Sequence, residues 1–202
     1  MNLTLDEQDL LKELINIGVG KAAGILNDMT GFHIHLEVPS VKVMPYLELE
    51  NEVGTDAEAR LATVSIGFFG RLAGNAAIVF PPESATTLVA VLVGEDPDSA
   101  ELDELRVGTL NEVGNIVING VMGSIGNVLQ EYINYSPPTY IEDSLLNLVP
   151  QDKLGRDAMV LIAQTRFIIQ ERNIEGNVVL MFDVGSFDNL LEALKKTIAD
   201  VG

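Results

Sequence analysis

The sequence contains no cysteine and no tryptophan, and basic residues are scarce. Its 202 residues include 12 Lys and Arg against 30 Asp and Glu, a formal net charge of −18. Without cysteine the chain can form no disulfide, no thiolate nucleophile and no cysteine-ligated zinc site. Without clustered basic residues it lacks the electrostatic footprint of proteins that bind nucleic acids or anionic membranes. We therefore expect neither nucleic acid nor a membrane among its partners.

Long apolar runs are also missing. No stretch approaches the roughly 18 apolar residues that a membrane-spanning helix needs, and Thr86–Gly94 is among the longest. The N-terminal segment contains the acidic residues Asp6 and Glu7, and it lacks the basic region followed by an apolar region that is typical of a signal peptide. With 47% hydrophobic residues and no low-complexity tract, the composition is that of a globular protein. These features predict a cytoplasmic protein, and we expect it to be a monomer.

The chain contains an internal repeat, and such a repeat decides the fold. Four residues recur at a constant offset of 99, namely Leu11, Glu13, Asn16 and Ile17 as Leu110, Glu112, Asn115 and Ile116. Pro39 recurs as Pro138 at the same offset, and residues 74–80 resemble residues 176–182 at an offset of 102. The sequence therefore predicts one domain, residues 1–202, made of two repeats of about 1–97 and 98–202.

The two repeats predict the same order of elements except directly after the long helix. The first gives a helix over Asp6–Met29, a strand over Phe32–Val43 that Pro39 interrupts, a hairpin of Leu61–Phe69 with Asn75–Phe80, and a helix over Pro81–Val93. The second gives a helix over Ser99–Ile133, a short helix over Glu142–Leu148, a hairpin of Met159–Gln170 with Asn177–Phe182, and a helix over Phe187–Ala199. Because a lone hairpin leaves exposed edges, we expect both hairpins to join in one mixed or antiparallel sheet. The predicted class is α/β of the α+β type, with two long helices and further helices packed on that sheet in pseudo-twofold fashion.

Polar residues recur inside the two long helices. Residues three or four apart share a helix face, so two stripes result, Asp9, Glu13, Asn16 and Gly20 in the first helix and Gly108, Glu112, Asn115 and Asn119 in the second. Asn is a mediocre helix former that prefers caps and turns. A solvated polar face would explain one such stripe, whereas its recurrence with identical Glu–Asn spacing favours a functional role.

Glycines and histidines offer further candidates. Glycines recur in both long helices, where each costs about 0.5–1 kcal/mol relative to Ala, so we expect a close approach of another backbone or of a partner. For Gly24 and Gly123 we expect tight packing against the sheet. His33 and His35 lie two apart on a strand and could share a metal ion, but no third ligand is near them in sequence. A solvated strand face is favoured, and we predict no metal site.

The repeated stripes resemble the active-site pattern of the CheC family of chemotaxis phosphatases, relatives of CheX and the flagellar-switch protein FliY. That pattern is Asp or Ser, three residues, Glu, two residues, Asn, twenty-two residues, Pro. The first repeat satisfies it in full with Asp9, Glu13, Asn16 and Pro39. The second repeat satisfies it with Glu112, Asn115 and Pro138, but has Gly108 at the first position.

The resemblance implies hydrolysis of the aspartyl phosphate of the response regulator CheY. Asn16 and Asn115 would position the attacking water, and Glu13 and Glu112 would bind the regulator's active-site Lys. The regulator would supply its own Mg²⁺, so the resemblance implies no cofactor of the protein's own. The remaining stripe positions are predicted as partner contacts, namely Asp9, Gly20, Gly108 and Asn119, and the two prolines, Pro39 and Pro138, as structural. Because Gly108 removes a side chain at the second site, we expect the two sites to be unequal.

Two alternative functions stay open. The protein could be a non-catalytic binding module for the receptor deamidase CheD, which by resemblance would contact the region around Asp143–Asp152. It could also be a flagellar-switch component like FliY. The chain ends at Gly202, soon after the second repeat and without a C-terminal switch domain, which disfavours that alternative.

Overall fold

The part of the chain that the structure describes contains four α-helices, one short 3-10 helix (Tyr46–Glu48) and seven strands. This computed structural model describes residues 3–48, 59–95, 104–130, 132–144, 158–169 and 172–201. The helices are α1 (Leu5–Thr30), α2 (Pro82–Val93), α3 (Glu104–Leu129) and α4 (Ser186–Val201). The strands are β1 (Ile34–Pro45), β2 (Leu61–Phe69), β3 (Gly74–Phe80), β4 (Asn134–Tyr135), β5 (Thr139–Asp143), β6 (Met159–Ile169) and β7 (Arg172–Phe182).

The strands form one antiparallel sheet in the order β1-β6-β7-β3-β2, with β4 and β5 paired along the outer edge of β2. Its centre is the pairing of β3 with β7, which joins the two hairpins as predicted. The first strand of each repeat pairs with the hairpin of the other repeat, β1 with β6 and β5 with β2. The two repeats are therefore interlocked in a single sheet, and the predicted α+β class is confirmed.

The strand registers follow the predicted pseudo-twofold symmetry. Pairs of β1 with β6 recur on the other half of the sheet at the offset of 99, Leu36–Phe167 as Tyr135–Phe68 and Ser40–Gln164 as Thr139–Ser65. An axis that relates two antiparallel strands of one sheet, here β3 and β7, must stand normal to that sheet. It follows that α1 and α3, which pack together on one face, run antiparallel.

Alternation along the strands divides the apolar residues between two faces. Ile78 and Phe80 belong to the main core beneath the four helices, whereas Val79 belongs to a smaller cluster on the opposite face.

Helix α1 begins at a capping box, in which the Glu7 backbone N–H donates to Thr4 Oγ1 (3.3 Å) and the Thr4 N–H to Glu7 Oε2 (2.7 Å). None of the described helices combines the length and the apolar character needed to cross a membrane.

Helices α1 and α3 touch through two glycines. A Cβ built at Gly18 would lie 2.5 Å from Val121 Cα, and one built at Gly120 would lie 2.5 Å from the Gly18 carbonyl oxygen. Glycine occupies both positions despite its low helix propensity, because two backbones meet there and leave no room for a side chain. This agrees with the close approach that the sequence predicts. The expectation for Gly24 and Gly123 is wrong, since both are exposed and a Cβ at either would have no described atom within 4 Å.

The glycine that does pack against the sheet is Gly114. A Cβ there would lie 2.5 Å from Val64 Cγ1 on β2. The equivalent residue of the first repeat is Ile15, so comparison of the two repeats does not single out this glycine. The α3 helix therefore approaches β2 more closely than a side chain would allow.

Two predicted boundaries in the second repeat are wrong. Helix α3 ends at Leu129 rather than Ile133, because Gln130 adopts a left-handed backbone with φ 54° and the chain turns into β4. The predicted short helix over Glu142–Leu148 is contradicted at its start, since Glu142 belongs to β5 and pairs with Ala62. The backbone N–H and C=O groups at the edge of β2 form hydrogen bonds with β5, which favours a strand over a helix in this segment. The rest of that prediction, from residue 145, lies outside the described residues.

Exchanging Gly18 for Ala tests the contact between the helices. We expect Gly18→Ala to lower the free energy of unfolding by about 1–3 kcal/mol, because the new methyl group must push two backbones apart. The matched control is Gly24→Ala in the same helix, which we expect to raise that free energy by about 0.5–1 kcal/mol. Urea denaturation followed by circular dichroism measures both, and a stabilised Gly18→Ala variant would contradict the contact.

Candidate functional site

The first motif lies on the outward face of α1. Asp9, Glu13 and Gly20 are exposed, and Asn16 is half-buried. Leucines and other apolar residues of the same helix face the core, so the stripe stands apart from the buried side as the spacing predicts. Within the described part of the chain, the side chain of Asn16 makes no hydrogen bond, and Glu13 makes neither a side-chain hydrogen bond nor an ion pair. Both are available to a partner.

The second motif lies on the outward face of α3. Glu112 and Asn119 are exposed and Asn115 is half-buried, while Gly108 is exposed one turn before the Glu. Unlike Asn16, Asn115 has a partner, because Asn119 Nδ2 donates a hydrogen bond to Asn115 Oδ1 at 2.7 Å. The i,i+4 spacing of the two asparagines brings their amides together on the helix surface. The sequence predicts Asn119 only as a partner contact, although the i,i+4 spacing could have indicated this bond.

The two motifs form separate sites on one outward surface. Asn16 lies two residues before Gly18 and Asn115 five residues before Gly120, which is roughly 3–8 Å along each helix axis at about 1.5 Å per residue. Because α1 and α3 run antiparallel, these displacements point in opposite directions from the glycine contact. The surface therefore carries two Glu–Asn pairs, one on each side of the crossing.

Pro39 and Pro138 lie at equivalent irregularities on the two edges of the sheet. Pro39 sits in β1 where the register with β6 shifts between Glu37 and Ser40. Pro138 sits in the break between β4 and β5. Proline has no backbone N–H to donate to a neighbouring strand, so each proline interrupts the backbone pairing at its sheet edge. Both therefore shape the sheet edges, which fits the structural role that the resemblance implies.

Each irregularity is held by a different hydrogen bond. In the first repeat, Lys12 Nζ, next to Glu13 on α1, donates to the Pro39 carbonyl oxygen at 3.2 Å. In the second repeat Asn111 replaces Lys12, and its buried Oδ1 has no hydrogen-bond partner among the described residues. There the Gly67 N–H donates to Ser136 Oγ at 2.9 Å instead. The sequence repeat did not predict either bond.

The histidine pair does not form a cluster of metal ligands. His33 and His35 are both exposed on or beside β1, and His35 Nε2 lies 3.4 Å from Glu37 Oε1. Among the described residues, no group of three or more His, Asp or Glu side chains is placed to hold a metal ion.

Comparison with known proteins gives two matching families. The model of the chemotaxis phosphatase CheX matches residues 62–161, and that of the CheC-like family matches residues 7–43. A Bacillus subtilis protein named CheY-P phosphatase CheC is 24% identical over 200 residues, covering 94% of each chain. The flagellar motor switch phosphatase FliY of the same organism is 20% identical over 193 residues, which is 93% of this chain but 49% of that protein.

A solved structure of Thermotoga maritima FliY has the same fold, with a TM-score of 0.77 over 97% of this chain and 99% of that one at 21% identity. Fold and motifs thus define the class, a duplicated α+β domain that presents two helical Glu–Asn pairs. Within that class, the chain is similar to the CheC, CheX and FliY superfamily of chemotaxis proteins, as the spacing of its motifs predicts.

Exchanging Ser136 for Ala tests how the second sheet edge is held. We expect Ser136→Ala to lower the free energy of unfolding by about 1 kcal/mol or more, because the partly buried Gly67 N–H loses its acceptor. Ser40→Ala is the control, since its hydrogen bond to Gln164 is exposed, and we expect a change within about 0.5 kcal/mol. Equal effects of the two substitutions in thermal unfolding would contradict this assignment.

Proposed function

We propose that the protein is a phosphatase that hydrolyses the aspartyl phosphate of a CheY-like response regulator. The observation that carries the proposal is the exposure of two Glu–Asn pairs on one outward surface, with both glutamates unengaged by other described residues. The likeness to the Bacillus subtilis protein named CheY-P phosphatase supports the same class of substrate. The proposed setting is chemotaxis or related two-component signalling.

Hydrolysis of an aspartyl phosphate requires few catalytic groups from the protein. An acyl phosphate is already reactive, and catalysis of phosphoryl transfer rests mainly on positioning and charge stabilisation. Asn16 and Asn115 are the proposed water-positioning residues, since a primary amide can both donate to and accept from a water molecule in line with the phosphorus. The water attacks phosphorus and the bond from phosphorus to the aspartyl oxygen breaks, which leaves the regulator's free carboxylate. Inorganic phosphate departs with both protons of the water. No covalent intermediate on this chain is required.

The glutamates provide the docking register. Glu13 and Glu112 each precede the catalytic Asn by three residues, so both side chains project from one helix face. In the proposed complex each binds the regulator's active-site Lys by a charge-assisted hydrogen bond. The regulator's own Mg²⁺ neutralises the phosphoryl oxygens, as the family resemblance implies, and the net charge of −18 modestly aids encounter with a basic face.

Alanine substitution of the two asparagines tests the catalytic role. We expect the double variant Asn16→Ala with Asn115→Ala to lower kcat for regulator dephosphorylation by at least about 100-fold, because a misplaced water costs that much. Each single variant should retain the activity of the other site, and the two residual rates should differ because of Gly108. The assay follows phosphate release from a phosphorylated regulator with Mg²⁺ present. A double variant with the wild-type rate would refute the assignment.

Neutralising the glutamates tests docking separately from chemistry. We expect Glu13→Gln with Glu112→Gln to raise KM at least about tenfold, since a charge-assisted hydrogen bond is replaced by a weaker neutral one. The matched control is Asp28→Asn, which removes an exposed acid of α1 about three turns away from Asn16. If the control raises KM as much as the glutamine variants do, the effect is bulk charge and not a specific contact.

The likeness to FliY favours a second candidate, a flagellar-switch component. A binding role toward the deamidase CheD also stays a prediction, because most of the region predicted to contact it lies beyond Ser144, where the described residues stop until residue 158. Co-purification with tagged switch proteins or with the deamidase distinguishes these roles. A partner captured by a protein that leaves the phosphorylated regulator intact would favour a binding module over the phosphatase.

A further inference from the structure

The two motif asparagines differ in what holds their side chains. Asn115 accepts a hydrogen bond from the Asn119 amide at 2.7 Å, one turn further along α3. The equivalent position in the first repeat is Gly20, which has no side chain, and Asn16 makes no side-chain hydrogen bond within the described part of the chain. The two sites are therefore unequal at a position other than Gly108.

We propose that Asn119 is a positioning residue that fixes the amide of Asn115 for catalysis, and that Gly20 leaves the amide of Asn16 unfixed. This inference rests on the proposed phosphatase function. Asn119 acts through Asn115 and need not touch the water or the phosphoryl group. It makes the second site the better organised of the two.

The direction of the hydrogen bond leaves the useful groups of Asn115 available. Asn119 Nδ2 is the donor and Asn115 Oδ1 the acceptor. Both N–H bonds of the Asn115 amide and the second lone pair of Oδ1 stay free for a water molecule and a phosphoryl oxygen. Fixing the amide before the regulator binds removes the entropy loss of ordering that side chain in the transition state.

The accessory side chains of the two sites are complementary. The first site has Asp9 one turn before its Glu and nothing at Gly20, whereas the second has nothing at Gly108 and Asn119 one turn after its Asn. Each stripe thus keeps one polar residue beyond the shared Glu–Asn pair.

The structure permits an exchange between the sites. Gly20 is exposed, and a Cβ built there would have no described atom within 4 Å. Asn at position 20 would stand four residues after Asn16, the spacing that Asn119 has from Asn115. Gly20→Asn therefore places an amide at the same spacing without a clash at its Cβ.

Single-site backgrounds isolate the effect on activity. In Asn16→Ala protein, where the second site works alone, we expect Asn119→Ala to lower kcat about two- to tenfold with KM unchanged, the range that ordering one side chain supplies. Asn119→Gln keeps an amide donor and should recover part of that loss. In Asn115→Ala protein, Gly20→Asn should raise kcat by a similar factor. An unchanged or increased kcat in the Asn119→Ala variant would overturn the proposal, as would a change confined to KM.

A readout without turnover separates this proposal from the phosphatase assignment. Three-bond NMR couplings report whether a χ1 angle is fixed or averaged. We expect a fixed χ1 for Asn115 and an averaged one for Asn16 in the wild type, with Asn115 averaged in Asn119→Ala and Asn16 fixed in Gly20→Asn. Averaging of Asn115 in the wild type would overturn the proposal. A wild type that fixes Asn115 yet hydrolyses no phosphorylated regulator would refute the proposed function instead.

Discussion

The contact between the backbones of α1 and α3 is the constraint on which the functional surface depends. Glycines at positions 18 and 120 let the two helices meet without intervening side chains, where packed helices ordinarily stand about 8–10 Å apart. The backbone contact therefore sets how closely the outward faces of the two helices approach each other. Both Glu–Asn pairs lie on those faces, so the glycine contact fixes where one pair sits relative to the other.

The interlocked sheet supports the contact between α1 and α3, because both helices pack on it. Each repeat supplies an edge strand to the other repeat's hairpin, so neither repeat can complete its sheet alone. Central strands β3 and β7 bury residues on both faces, and the helices cover the larger core. The pseudo-twofold axis at the β3–β7 pairing then presents the same helix face twice. Duplication of the sequence thus becomes duplication of the site.

Much of this architecture could be predicted from the sequence because it rests on periodicity and repetition. The 3.6-residue pattern of α1 and the offset of 99 are properties of the chain itself, and they predicted the long helices, the joined hairpins and the motif stripes. What the sequence could not predict depends on neighbours that are distant along the chain. Strand β5 pairs with the edge of β2, and the residues around Glu142 do not indicate this by themselves; only the equivalence of β5 to β1 at the offset of 99 does.

Glycines show the same limit. All helical glycines look alike along a helix, and only the three-dimensional packing separates Gly18, which meets another backbone, from Gly24, which meets solvent. The hydrogen bonds of the site divide in the same way. The Asn115–Asn119 bond follows from local i,i+4 spacing and could have been predicted from the sequence. The bond from Lys12 to the Pro39 carbonyl joins a helix to a sheet edge and could not have been predicted in this way.

The repeats differ at several positions where the symmetry does not need to be exact. Positions that build the shared sheet must remain compatible with both halves, because a shift in one strand displaces its partner from the other repeat. Side chains on the outward stripes and sheet edges carry no such obligation, and there the repeats differ: Asp9 against Gly108, Gly20 against Asn119, Lys12 against Asn111. The last exchange leaves the Asn111 Oδ1 buried without a described partner, a cost of about 1–3 kcal/mol that the first repeat avoids. A duplicated fold can therefore hold two copies of a site rigidly in place while each copy is tuned by its own surface residues, and the asymmetry of the asparagines is a consequence of that freedom.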